Sequence, residues 1–250
     1  MTDDFLTLLE KRSLPAISPS VSGLLSLEAT TVFAFHCAEG VVIGGDHRAT
    51  AGNTVFSDRT EKILELDSHS LMAIAGVPAM AFEMARTLQT AFEFYRRSQL
   101  QPMSLPAKIR ALSRLLRDNL PATLQGVGVV APIFAGVEAG EPGAKPVIHF
   151  YDPLGAQFEA AAYAGSGSGT AFIKSVLHYL ERWGRPHPAE MPLAQAVVLA
   201  NRLLITAAQF DTATGGVHPE QGDFATIKFL STEGLRSVLP EEQGQYWKSQ

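Results

Sequence analysis

The order in which apolar patterns follow one another along this chain constrains its fold more than any single residue does. Strand-like runs come first, at 30–35 and 41–45, joined by the polar turn Cys37-Ala38-Glu39-Gly40, and then at 61–66 and 70–75. Two helical stretches follow. Ala81, Ala85, Leu88 and Phe92 share one face at the 3.6-residue repeat, as do Ile109, Leu112, Leu116 and Leu120. Arg110, Arg114 and Arg117 fall off that second face, and Ser104 ahead of Pro106 is the expected cap. Strands return at 128–137, 146–151 and 157–162, then helices at 170–182 and 193–210, then strands at 225–230 and 234–238, and a polar tail closes the chain. Helices arrive in pairs between groups of strands. That order excludes the strict alternation of a doubly wound parallel sheet. Two stacked antiparallel sheets, each covered by a helix pair, would bury every apolar face. The expectation is an α+β, four-layer α/β/β/α sandwich.

Residues 1–29 stand apart. Residues 5–10 read as a short helical turn, but 14–23 mixes proline, serine and glycine, which favours flexible or extended chain. The segment reads as a leader, with 30–250 as a single domain and no linker to divide it. Its start, Met-Thr-Asp-Asp, is acidic where a secretory signal would be basic, and no apolar run is expected to be long enough to span a membrane, so a cytoplasmic location is expected. The net charge of −5, without a basic cluster, argues against a nucleic-acid partner. Cys37 is the only cysteine and forms no internal disulfide. The histidines are scattered, with none paired at metal-ligand spacing; those at 187 and 218 read as surface loops, and no metal or other cofactor is expected.

Thr30 and Thr31 open the first strand-like run. A threonine hydroxyl is a weak nucleophile unless a base lies beside it, and one such base is the threonine's own α-amine once the chain is cut before it. The amine's ordinary pKa, about 8, suits that role. Other polar segments are ambiguous when taken singly. Gly44-Gly45-Asp46-His47-Arg48-Ala49-Thr50 ends a strand and reads as a turn; Lys62 reads as a surface lysine. Gly165-Ser166-Gly167-Ser168-Gly169 fits either an anion cradle at a helix start or a tight turn, and it is neither a Walker loop nor a nucleophile elbow. Asp211-Thr212-Ala213-Thr214-Gly215-Gly216 reads as a helix cap and loop.

Taken together and in order, these segments resemble the β subunit of the proteasome, closest to the bacterial type. Asp46 lies sixteen residues and Lys62 thirty-two residues beyond Thr30, as in that family. Ile74-Ala75-Gly76 is similar to the family's glycine turn, and the Gly-Ser-Gly-Ser and Asp-x-Ala-Thr-Gly-Gly forms match its two later motifs. The likeness runs from Thr30 to about Val238.

The resemblance implies the N-terminal nucleophile hydrolase fold and a threonine endopeptidase. Thr30 would be the nucleophile, freed by self-cleavage of the Ala29–Thr30 bond. Lys62 would lower the pKa of its hydroxyl and amine, and Asp46 would keep Lys62 charged and oriented. The Gly76 N–H would serve the oxyanion, while Ser166, Asp211 and Thr214 would position the amine and a water. Thr50 and the Gly76 segment would edge an extended substrate. Ala49, Thr60 and Ile74 would line the pocket for the residue before the scissile bond, and none is charged. Partners implied are identical subunits in stacked rings, a tetradecamer, together with an ATPase unfoldase ring and polypeptide substrates. The family usually has glycine where this chain has Ala29. That substitution keeps open a catalytically silent ring subunit, and a small-molecule amidase of the N-terminal nucleophile class is a further reading.

Overall fold

A computed structural model describes residues 30–51, 54–141 and 143–249. The proposed leader and Ala29 lie outside the described residues.

Two five-stranded antiparallel sheets form the centre. The first has strand order β10-β1-β2-β11-β12 and the second β5-β6-β7-β8-β9. The strands are β1 Thr31–Cys37, β2 Gly40–Gly45, β5 Ile63–Asp67, β6 Ser70–Ala73, β7 Ile133–Gly136, β8 Val147–Tyr151, β9 Gln157–Glu159, β10 Tyr163–Gly167, β11 Thr226–Ser231 and β12 Gly234–Val238. A separate hairpin, β3 Ala49–Ala51 with β4 Thr54–Ser57, leaves the end of β2. The helices are α1 Pro78–Gln99, α2 Leu105–Asp118, the short α3 Leu120–Leu124, α4 Thr170–Trp183, α5 Leu193–Phe210 and α6 Pro240–Lys248.

The period-two geometry of a strand sorts β1 between two cores. Val32 and Ala34 face the second sheet and pack with Ile63, Leu71, Ile133 and Ile148. Phe33 and Phe35 face the other way, onto Ile173 and Leu177 of α4 and Leu203 and Leu204 of α5. On the far side, Met72 and Phe134 of the second sheet pack with Leu88 and Phe92 of α1 and Leu112 and Leu116 of α2. Three cores thus separate four layers: helix pair, sheet, sheet, helix pair. The α/β/β/α expectation holds.

Several local expectations are corrected. The run 157–162 is not one strand. The chain leaves β9 in the second sheet, and β10 pairs with β1 in the first, so Thr31 lies opposite Gly167 and Val32 opposite Ser166. Glycine and serine have low strand propensity; tertiary pairing overrides it here. Strand 128–137 shrinks to β7, with Pro132, which has no N–H to donate, just before it. The second helix ends at Asp118 rather than running through Leu120, because Pro121 opens α3 with no N–H to continue the ladder. Ser104 occupies the cap position of α2, yet the Leu105 N–H is satisfied by the Glu138 carboxylate at 2.8 Å. The polar tail contains α6. Its Gln243 is buried and donates to the carbonyls of Ala225 and Val238, while accepting from Asn201. Finally, α5 has the length and apolar character of a membrane span, which corrects the expectation that no apolar run is long enough for one. Its buried side chains, Ala196 to Ala207, cover the first sheet, which explains that composition.

Candidate active site

Asp46 lies immediately after β2, with 1% of its surface exposed, and its carboxylate is saturated. Oδ1 accepts the Lys62 ammonium at 2.6 Å and the Thr31 N–H at 2.9 Å. Oδ2 accepts the N–H groups of Gly215 at 2.7 Å and Arg48 at 3.0 Å. Lys62 precedes β5, is 2% exposed, and also donates to the Arg48 carbonyl. Burial pushes the Lys62 pKa below the ordinary lysine value; the neighbouring Asp46 carboxylate offsets this only in part. The Arg48 guanidinium is itself paired with Asp58 at 2.9 Å and reaches the Thr212 carbonyl. The sequence reading of Lys62 as a lone surface lysine is thereby removed.

A second polar cluster joins the β10–α4 junction to the loop after α5. The Thr214 hydroxyl donates to Asp211 Oδ2 at 2.5 Å, and the Ser168 hydroxyl donates to the same oxygen at 2.6 Å. Asp211 Oδ1 accepts the Ala213 N–H. Burial alone would raise the Asp211 pKa, but the Ser168 and Thr214 hydroxyls and the backbone N–H groups outweigh it and hold the carboxyl below its ordinary range. The Thr31 hydroxyl, fully buried, lies 2.6 Å from Thr214 Oγ and accepts the Gly169 N–H at 3.0 Å.

Thr30, 4% exposed, lies one residue before β1 and next to Thr31, which is bonded to both clusters. Its carbonyl accepts the Ser168 N–H at 3.1 Å. Gly167, at φ +101°, lies directly under that carbonyl: a Cβ there would collide with the Thr30 oxygen, so β10 approaches this closely only with glycine. Gly167 therefore serves a close strand-to-strand approach.

The candidate residues are not all brought together as expected. Asp46 meets Lys62, and Asp211 meets Thr214. Ser166 does not join them: its hydroxyl donates to the Ala131 carbonyl at 2.6 Å, across to the second sheet, and Ser168 is the serine on Asp211. Strand alternation explains the exchange. Ser166 pairs with Val32 and shares its face toward the second sheet, whereas Ser168 lies past the end of the strand. Ala131 in turn donates its N–H to the Ala75 carbonyl, and the Val77 N–H donates to Val129, which closes a bridge between Gly76 and Val130. In such a bridge the flanking residues carry the hydrogen bonds, so the Gly76 N–H points away from Val130. The Thr60 N–H donates to the His47 carbonyl, and the Ile74 N–H donates to the Lys62 carbonyl at 2.8 Å. Ala49, Thr50 and Ile74 are buried and Thr60 is half-buried. Among the described residues, no group of three His, Cys, Asp or Glu side chains is arranged to hold a metal.

Thr31 and Ser168 were not singled out from sequence. The alternation of β1 was the available signal for Thr31, since it places Thr31 with Phe33 and Phe35 on the face toward α4 and α5.

The family model described as "Proteasome subunit" matches residues 27–218. A "Proteasome subunit beta 2" of Thermomonospora curvata is 36% identical over 214 residues, covering 86% of this chain and 73% of that protein. A "Proteasome subunit beta" of Acidimicrobium ferrooxidans is 35% identical, covering 94% and 84%. One of Streptomyces griseus is 32% identical, covering 95% and 80%.

Proposed function

The chain belongs to the proteasome β-subunit family, and within that family we propose that it is an active threonine endopeptidase, self-cleaved before Thr30 and working inside stacked rings of identical subunits. Membership supports a protease role in a multi-subunit ring. The observation that carries the finer reading is the buried Lys62–Asp46 pair tied to the Thr31 N–H, one residue from Thr30. A buried ammonium with a depressed pKa is an expensive feature to keep beside an inert strand end.

In this reading the Thr30 Oγ attacks the scissile carbonyl, the C–N bond breaks as the leaving amine departs with the proton taken from the hydroxyl, and water then hydrolyses the ester to release the second product. The freed α-amine takes the hydroxyl proton. The Lys62 charge favours the alkoxide, and Asp46 fixes the position of that charge. The Gly76 N–H, turned away from Val130, is available to the tetrahedral oxyanion. Substrate lies extended against Thr50 and the Gly76 segment. Ala49, Thr60 and Ile74 give an uncharged pocket, so peptides with Leu or Tyr before the cleaved bond should be cut in preference to those with Arg or Glu.

Mass spectrometry of the purified full chain tests this directly. Loss of residues 1–29, together with hydrolysis of fluorogenic peptides that Thr30→Ala abolishes, is the expected result. A chain that retains Met1 throughout and cleaves nothing would overturn the proposal in favour of the silent ring subunit, the reading that Ala29 in place of glycine favours. Native mass separates a ring of subunits from a small amidase. An ATPase ring feeding the chamber and a cytoplasmic location complete the proposal.

A further inference from the structure

We propose that the Thr31 hydroxyl is a positioning group for Thr30: it anchors the nucleophile's neighbour to a one-way hydrogen-bond chain that runs from the Gly169 N–H through Thr31 and Thr214 to Asp211. The inference rests on the peptidase reading above and adds a residue and a role to it.

The direction of the chain follows from counting protons. A hydroxyl has one proton to give. The Thr214 proton is committed to Asp211 Oδ2 at 2.5 Å, an ionised carboxylate that has none to return. Thr31 Oγ already accepts the Gly169 N–H at 3.0 Å. At 2.6 Å from Thr214 Oγ, the Thr31 proton therefore points to Thr214. Ser168 donates to the same Asp211 oxygen at 2.6 Å, so the chain ends on a carboxylate held from two sides. Charge-assisted bonds of this kind are shorter and stronger than neutral ones.

Thr31 also ties this chain to the other cluster. Its N–H donates to Asp46 Oδ1, the oxygen that holds Lys62. Thr31 is β-branched and fully buried, so fixing its hydroxyl fixes its backbone. Thr30 is then located on three counts: its carbonyl by the Ser168 N–H, the next N–H by Asp46, and the next side chain by Thr214. The arrangement needs room at Gly169. A Cβ there would lie 2.8 Å from Thr31 Oγ and would also collide with Thr214 Oγ. None of these bonds involves the new α-amine, so the anchor exists before the leader is cut and acts on leader removal as well as on turnover.

The test compares the unsubstituted full chain with Thr31→Val, Thr31→Ser and Thr31→Ala. Valine keeps the shape and the bond from the backbone to Asp46; only the hydroxyl is lost. Misplaced by a fraction of an ångström, Thr30 should lose roughly ten- to a hundredfold in kcat with KM little changed. Residues 1–29 should be released correspondingly more slowly, read by mass against time, and Thr31→Ser should restore both rates to within about threefold, since it rebuilds the chain of bonds. A merely structural role would lower the unfolding midpoint without splitting kcat from KM. If the unsubstituted chain cleaves substrate and Thr31→Val matches it, the positioning role is overturned while the peptidase stands. Failure of Thr31→Ser to restore the rates also overturns it, because the hydroxyl alone would then not be what positions Thr30. If the unsubstituted chain is inert and uncut, the peptidase reading itself fails and takes this role with it. Should valine prevent folding, the contrast between Thr31→Ser and Thr31→Ala decides.

Discussion

Among the described residues two lysines are buried, and each is paired with an aspartate at 2.6 Å. Lys62 precedes β5, and its aspartate holds the N–H of Thr31, the residue after Thr30; Lys108 is on α2. Their burial is nearly the same, 2% and 1%. Their surroundings are not. Asp46 is fully enclosed and accepts three backbone N–H groups besides the ammonium. Asp67 keeps 26% of its side chain in contact with solvent, accepts the Ser70 hydroxyl and the His69 N–H, and leaves Lys108 beside the Phe92 ring at 5.7 Å. One pair joins four chain segments at a strand end. The other fastens a helix to a hairpin turn. A buried lysine is thus no signal of function by itself; what its partner is bonded to decides its role.

The largest expected contrast is in activity. Lys62→Met should reduce peptide hydrolysis by on the order of a thousandfold, the scale of losing a group that assists proton transfer. Lys108→Met should leave kcat within about twofold, since it lies in a separate layer. Equal losses in both variants, measured on the same fluorogenic peptide, would break the distinction between the pairs.

Next comes stability at the outer pair. Asp67→Ala strands the Lys108 ammonium among apolar side chains and should cost about 3–5 kcal/mol in urea unfolding. The double variant Asp67→Leu with Lys108→Met should recover most of that, ending within about 1.5 kcal/mol of the original, because a well-packed apolar pair removes the desolvation cost as well as the attraction. A double variant as unstable as the single would show that the ion pair itself, rather than the stranded charge, supplies the stability.

The smallest effect is in pH dependence. Burial alone would raise the Asp67 pKa, but Lys108, Ser70 and the His69 N–H together hold it below its ordinary value of 3.8. A depressed carboxyl contributes stability that is fully present above the unfolded value and is lost as pH falls through the folded one. The difference in urea midpoint between the original chain and Asp67→Asn should therefore hold from neutral pH to about 4 and shrink only below it. A difference that shrinks between pH 7 and 5 would point to another titrating group.

The two pairs were unequally legible. Lys62 could be found because its aspartate lies sixteen residues away in an ordered set of motifs. Lys108 gave no such sign: its partner is 41 residues away, in a turn with no motif of its own, and the lysine sits beside an apolar helix stripe. The same division runs through the fold. The helix pairs were readable because a 3.6-residue apolar stripe is a local property, and Leu193–Phe210 coincides with its expected bounds. β10 was missed because Tyr-Ala-Gly-Ser-Gly has no strand pattern; it is a strand because β1 lies beside it. Helix α6 was read as a tail because the amide pair of Asn201 and Gln243 that holds it spans 42 residues.

At the site, the sequence by itself determined which residue types are present and in what order: the Thr30–Thr31 pair, Asp46, Lys62, Gly76, the Gly-Ser-Gly-Ser run and the Asp211 loop. It also determined the layer order, because apolar periodicity must be buried somewhere and only a few packings bury all of it. Only the tertiary structure decided which hydroxyl meets which carboxylate. Ser166 and Ser168 are two residues apart in identical glycine contexts, and no local rule ranks them. The pairing of Ser166 with Val32 turns one toward Ala131, and the end of β10 leaves the other on Asp211. Hydrogen bonds are short and directional, so a choice between two such neighbours is made by strand register, and register is set by packing far from either serine.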